Sequence, residues 1–260
     1  MIRGGKGKRY IEKPPKNGKG RLLFMLVQLI LIGVIIYSGY RIAIWFIENH
    51  KTSEMMDEIS SYIVVDNSRD DVNRYKIDFE KLKEKNKDVK AFLKVNGTDI
   101  EYPIVQGTDN SYYLNHTLDK SYNQAGWPFI DYRNKLNGND KNIIIYGHNR
   151  RDGSMFESLK NTLEDDWYNN KENKKIIFIT ENEKSVYEVF STYNIEAEDY
   201  YIQTQFNEKE NEFENFINVI KKRSVKDFDV EVSKEDKILT LSTCGNDNNH
   251  RVVLHAKKVE

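Results

Sequence analysis

From about Phe92 onward, apolar and polar residues alternate in short runs broken by turn residues, which predicts strands. The runs are AFLKVNGTDIEYPIVQG, GWPFIDY, NIIIYGH, KIIFIT, SVYEVFSTYNI, KILTLSTC and RVVLHAKKV. Upstream, SEMMDEISSYI and DFEKLKEKNKDVKAFL space their apolar residues by three and four (Met55, Met56, Ile59, Tyr62, Ile63; then Phe79, Leu82) and read as helices leading into the strands. One further helix is predicted inside the strand-rich part, over residues 207–223. There Phe213, Phe216, Ile217 and Ile220 share a face, Asn207 and Glu210 have capping-pair spacing, and Lys221, Lys222 and Arg223 sit where the helix dipole is negative. A mostly antiparallel sheet or closed barrel with added helices follows.

The N-terminal pattern is different. LLFMLVQLILIGVIIYSGY, residues 22–40, has no charged side chain, and as a helix it rises roughly 28 Å, about the thickness of a bilayer's hydrocarbon core. A cleaved signal peptide has a shorter apolar region and a small-residue cleavage site, whereas RIAIWFIENH follows here. A buried core helix leaves the basic flank unexplained. A transmembrane anchor over residues 22–47 is therefore expected, and eight Lys or Arg before residue 22 place the N-terminus in the cytoplasm. The expected organisation is a basic cytoplasmic tail at 1–21, the anchor at 22–47, a helical stalk at 48–90 and a β-rich domain at 91–260, outside the membrane. The whole chain has 40 Lys and Arg against 41 Asp and Glu, and nine of the basic residues fall in the first 47, so the outer part is acidic. That balance argues against a nucleic-acid partner, which requires clustered positive charge.

An outside location changes the meaning of the single cysteine, Cys244, because exported proteins usually pair their thiols. Cys244 is either buried and inert or kept free for use. KILTLSTC and RVVLHAKKV flank the polar loop GNDNNH and can pair as a hairpin, setting Arg251 beside Cys244. A guanidinium there favours thiolate and offers fixed donors to an oxyanion, unless it is an idle rim residue. A nucleophilic cysteine also needs an acid or base. Of the five histidines, His50 is near the membrane, His255 lies within a strand and His116 follows a tyrosine-rich segment. His148 ends the apolar run NIIIYGH, and His250 adjoins Arg251, so both stay in play. Cys244, His250 and His255 lack the paired spacing of a zinc site, and no metal is expected.

The pieces NGTDIEYPIVQGTDNSYYLNH, FIDYRN, NIIIYGHNRRDGSMFESLK and LTLSTC, with Arg251 downstream, resemble class B sortases across most of residues 75–260. The resemblance implies a mainly β fold: an eight-stranded sortase-type barrel with N-terminal helices and a long helix between late strands. It implies that Cys244 is the nucleophile, His148 its partner, and Arg251 the stabiliser of substrate and oxyanion. Tyr146 and Ser242 match positions that line the substrate groove or support the intermediate, and Asn115 is expected to do likewise. Trp127 and Pro128 stand where relatives more often carry small or aliphatic residues, in a region expected to border that groove.

The implied reaction is transpeptidation at a cell wall. The thiolate cleaves a C-terminal sorting signal, of the NPQTN or a PxTG-like kind, after its threonine; the thioester then passes to a peptidoglycan amine. Partners are surface proteins with such signals and the lipid bilayer at residues 22–47, and no cofactor is called for. The loop from Gly245 to His250 is the expected wall of the acceptor path. Two alternatives remain: a cell-surface cysteine hydrolase, and a non-catalytic surface-binding module in which Cys244 is only packed. A papain-like hydrolase places its cysteine at a helix start ahead of the histidine, whereas Cys244 ends a strand and follows His148.

Overall fold

The computed structural model describes residues 18–69, 72–196, 200–244 and 250–260, and of Glu210 and Cys244 the backbone alone. Two compact units are present, Met1–His50 and Lys51–Glu260. Helix α1 runs from Gly18 to Ser60. In the first unit nearly every side chain from Leu22 to Ile47 is exposed, and among the described residues α1 is the one helix long and apolar enough to cross a membrane. A helix apolar on every side suits lipid rather than water.

In the second unit the last turns of α1 bury Ile59 and pack Met55 and Met56 against the core. A small antiparallel hairpin follows, β1 (Ile63–Val65) and β2 (Tyr75–Ile77), with Ile63 opposite Ile77. Helix α2 (Phe79–Lys85) is shorter than the stretch read as helical. Asp78 starts it by accepting from the Lys81 amide, and Asn86 ends it. The Asn86 side chain is buried and donates to Tyr113 Oη and the Leu118 carbonyl, both at 2.8 Å, which turns the chain away. VKAFLKV is consequently strand β3 (Val89–Val95) and not helix.

The barrel continues with β4 (Glu101–Val105), β5 (Phe129–Ile130) and β6 (Asn142–Gly147). After the short helix α3 (Asp165–Asn169) come β7 (Lys175–Thr180) and β8 (Lys184–Glu196), then helix α4 (Glu212–Arg223), β9 (Ile238–Cys244) and β10 (His250–Lys258). The closed order is β3, β4, β5, β6, β9, β10, β8, β7. Neighbours are antiparallel except β4 with β5 and β6 with β9. This is the expected eight-stranded, mainly β barrel. Its interior is filled by residues such as Leu93, Ile104, Ile145, Leu239, Leu241 and Leu254, each worth about 1.5–3 kcal/mol when fully buried, while Phe92 on the opposite face of β3 is buried against Tyr75. Trp127 belongs to this core rather than to a groove border: it is buried, meets Tyr102 edge-on, and its indole N–H donates to the Pro103 carbonyl at 2.8 Å.

A second apolar cluster joins α4 to the barrel, where Phe213, Phe216, Ile217 and Ile220 meet Phe190, Tyr193, Tyr201 and Val253. The helix begins later than residue 207, because Asn211 adopts φ 53° and separates a 3-10 turn at Glu208–Glu210 from α4. Glu212, not Glu210, closes back on the Asn207 amide, at 2.8 Å.

Beside this cluster His255 is wholly buried in a one-way chain of hydrogen bonds. Tyr200 donates to Tyr193, and Tyr193 lies 2.8 Å from His255 Nε2; on the other side His255 Nδ1 lies 2.9 Å from Thr240, which donates to Asn142 Oδ1. The donor order makes Nε2 the acceptor and puts the ring proton on Nδ1. Burial lowers the pKa of His255 from 6.5 to about 3. Below about pH 6.5 the unfolded chain takes up a proton that the folded chain refuses, so this contribution is complete above that pH and falls away towards pH 3. Between pH 6.5 and 4.5 the loss is about 2–3 kcal/mol. Urea unfolding at pH 7 and pH 4.5 should show the native sequence losing more stability than His255→Gln by about that amount; equal losses would mean that His255 is not held neutral.

Candidate active site

Three adjacent strands, β6, β9 and β10, bring the sequence-chosen residues into rows. Between β9 and β10 the register sets Cys244 opposite Arg251 and Ser242 opposite Val253. Between β6 and β9, which run parallel, Tyr146 pairs with Ser242 and Gly147 with Thr243. His148 is the next residue after Gly147, as Cys244 is after Thr243. The backbones of His148, Cys244 and Arg251 therefore lie side by side at one end of the barrel, although 103 positions separate the first from the last in sequence. His148 and Arg251 are each half-buried.

The ring of His148 is held from the far side, where Nε2 sits 2.7 Å from the carbonyl oxygen of Leu114. A carbonyl only accepts, so Nε2 carries a proton and Nδ1 is the nitrogen whose proton can come and go. Leu114 closes a 3-10 turn, Tyr112–Leu114, and the chain returns against it at Gly126. Gly126 has φ +61°, and a Cβ there would lie 2.5 Å from the Tyr113 carbonyl oxygen and 2.7 Å from that of Leu114. Only glycine lets the two segments meet this closely. Gly147 is equally constrained, since a Cβ would meet the ring of Phe156 at 2.5 Å. Phe156 is fully buried, and its amide donates to the His148 carbonyl at 2.9 Å. Both glycines thus serve the placement of one imidazole.

Tyr146 donates its hydroxyl proton to Asp131 Oδ2 at 2.8 Å. Burial, then the Asp131 charge, raises the Tyr146 pKa well above that of a free tyrosine. Burial also pushes the Asp131 carboxyl up, but hydrogen bonds led by Arg133, then Tyr146 and Asn110, outweigh it and hold it below the usual carboxylate range. Ser242 is buried, with its Oγ 3.1 Å from Tyr201 Oη, so Tyr201 covers it. Asn115 is exposed, follows Leu114 directly, and accepts from the Asn123 amide at 3.0 Å. His250 opens β10 opposite Glu196 of β8, one residue before Arg251. His116 stacks on Tyr112 with centroids 4.0 Å apart, and its Nδ1 lies 2.8 Å from the Tyr112 carbonyl. Of the expected acceptor loop, residues 245–249 lie outside the described residues, as does most of the basic tail. Among the described residues there is no group of three or more His, Cys, Asp or Glu arranged to hold a metal ion.

The sequence reading passed over Asp131, Arg133 and Asn110. Asp131 and Arg133 both lie in FIDYRN, and an acid and a base two residues apart at a strand end, next to an apolar run, were the available signal.

Residues 93–259 match the sortase domain family. The chain is 36% identical to sortase B of Listeria monocytogenes over 237 residues, covering 89% of this chain and 94% of that protein. It is 32% identical to sortase B of Staphylococcus aureus over 238 residues, covering 90% and 96%. The crystal structure of sortase B from Bacillus anthracis superposes with a TM-score of 0.71 at 32% identity, covering 83% of this chain and 99% of that one. The chain therefore belongs to the sortase family, in the class B branch that these relatives occupy. Its activity is that of a cysteine transpeptidase in cell-wall sorting, with sorting-signal proteins as the substrate class and cell-wall acceptors. It is a cell-surface enzyme, and α1 is its candidate membrane span.

Proposed function

We propose that Cys244, His148 and Arg251 form one catalytic unit, and the observation that carries this is their alignment in one row across β6, β9 and β10. Successive strand residues face alternately, so position 244 shares a face with position 242 and, across the parallel pair, with positions 146 and 148. The Cys244 thiolate attacks the carbonyl carbon of the threonine in a sorting signal, and the Arg251 guanidinium donates to the resulting oxyanion. His148 gives its Nδ1 proton to the departing amine, the C–N bond breaks and a thioester remains. An incoming peptidoglycan amine then adds to the thioester, His148 takes its proton, and the thiolate leaves. Tyr146 and Asn115 line the groove that holds the signal, and Ser242, covered by Tyr201, supports it from beneath.

The bilayer partner is met through residues 22–47, with the basic tail at 1–21 in the cytoplasm, residues 48–90 as a stalk and residues 91–260 outside as the catalytic part. Eight basic residues before the span and the exposed apolar surface of α1 support this orientation.

Transfer and hydrolysis differ in what resolves the thioester, and an amine is the better nucleophile towards it. Adding hydroxylamine or a wall-peptide amine to enzyme and an NPQTN peptide should divert product from free acid to adduct, and raise turnover where acyl-enzyme resolution limits the rate. Free acid alone, across all amines and concentrations, would replace the transferase with a hydrolase.

A further inference from the structure

Asp131 follows β5 immediately and is completely buried. Its Oδ1 accepts from the Arg133 amide at 2.9 Å and Nε at 2.8 Å; its Oδ2 accepts from Arg133 Nη2 at 2.7 Å, Asn110 Nδ2 at 2.9 Å and Tyr146 Oη at 2.8 Å. Arg133 Nη2 also donates to the Ile202 carbonyl at 2.8 Å, at the end of the turn whose Tyr201 covers Ser242. One carboxylate thus ties together β6, the segment that runs from Asn110 to Leu114, and the turn at Tyr200–Ile202. Each borders a residue of the proposed site: Tyr146 is two residues before His148, Leu114 holds the His148 ring, and Ser242 is two residues before Cys244. A buried ion pair is weak support for stability in itself, so the placement of its ties is the more telling property.

Hydrogen-bond direction adds a chemical consequence. An ionised carboxylate only accepts, so the Tyr146 hydroxyl proton is committed to Asp131 and Tyr146 Oη can offer a ligand nothing but lone pairs. We propose that Asp131 is a positioning residue that fixes Tyr146 as a hydrogen-bond acceptor in the sorting-signal groove, so that the groove admits a neutral amide donor and rejects a carboxylate. The inference rests on the proposed function only in placing Tyr146 along that groove. Acting through Tyr146, Asp131 never touches substrate. Its loss frees the tyrosine proton, and the same hydroxyl can then donate to a carboxylate.

The test uses the full chain in detergent micelles with a fluorescence-quenched NPQTN peptide and peptides in which each side-chain amide is replaced by the matching carboxylate. Wild type should cleave the amide peptide and discriminate against at least one carboxylate peptide in kcat/KM. Asp131→Asn should raise KM for the amide peptide about tenfold and narrow that discrimination about tenfold, while the rate of Cys244 alkylation by iodoacetamide stays the same. Should Asp131→Asn fold poorly, Asp131→Asn with Arg133→Gln leaves no unpaired charge and should narrow the ratio likewise. Tyr146→Phe, which lacks the hydroxyl, should give the same ratio with or without Asp131→Asn. Equal losses on amide and carboxylate peptides, or an unchanged ratio, would overturn the proposal and leave Asp131 a purely structural residue. Failure of the functional reading is seen separately, as wild type that cleaves no peptide or Cys244→Ala that still does.

Discussion

His148→Ala and Arg251→Ala each reduce cleavage of a sorting peptide by about a thousandfold or more, Cys244→Ala removes thioester formation, and the double variants lose little beyond the worst single one. Non-additivity follows from the proposed catalytic unit, in which the three groups would serve one transition state: without the thiol there would be no oxyanion for Arg251 to hold and no leaving amine for His148 to protonate. His250→Ala should cost far less, since successive strand residues point to opposite faces and Arg251 is the residue opposite Cys244. Arg251→Lys is the sharper probe, keeping the charge but losing the planar fork of donors. Steady-state kcat/KM with one peptide checks all of these. If His250→Ala inactivated the enzyme and His148→Ala did not, the histidine assignment would be reversed.

Gly147→Ala should be nearly as damaging, about a hundredfold or more in kcat/KM, although it removes no functional group. The added Cβ would lie 2.5 Å from the Phe156 ring, and that ring has no free space to retreat into because it is fully buried. Relief must come from the β6 end, which carries His148, and a displacement of about 1 Å at a reacting group is worth about two orders of magnitude. The same Phe156 donates its amide to the His148 carbonyl, so the strain is delivered directly to that residue. The closest atom to the added Cβ is Phe156 Cγ, so Phe156→Ala, which removes Cγ and the ring, makes room in Gly147→Ala and should return a large part of the activity. A Gly147→Ala enzyme with full kcat/KM would show that His148 tolerates displacement and that its position is not what limits turnover.

Much of this site was legible in the sequence because its central pairing is local. Only a short loop separates KILTLSTC from RVVLHAKKV, so a hairpin register alone sets Arg251 against Cys244. The strands were legible for a similar reason, being long apolar runs bounded by turn residues. The hairpin of Ile63–Val65 and Tyr75–Ile77 was not, because three residues are too few to display a period. The end of α2 depended on where the Asn86 side chain goes, into Tyr113 and Leu118, which lie 27 and 32 residues away. Propensity also favoured an unbroken helix from residue 207, but one left-handed residue, Asn211, split it. The anchoring of Tyr146 was the least visible feature. Positions 131 and 146 meet through the antiparallel pairing of β5 with β6, but positions 110 and 202 reach Asp131 and Arg133 from segments 21 and 69 residues away, which no local pattern announces. The nitrogen of His148 left to exchange protons was likewise fixed by a distant carbonyl, that of Leu114.

Cys244 is expected to carry the substrate as a thioester. Mixing the full chain with an NPQTN peptide, quenching in acid within the first turnovers and digesting for mass analysis should place the N-terminal peptide fragment, ending in threonine, on the segment that contains Cys244. Hydroxylamine should strip that mass, and Cys244→Ala should never acquire it. Peptide cleavage that proceeds at the wild-type rate in Cys244→Ala, or an acyl adduct found on any other residue, would contradict that expectation.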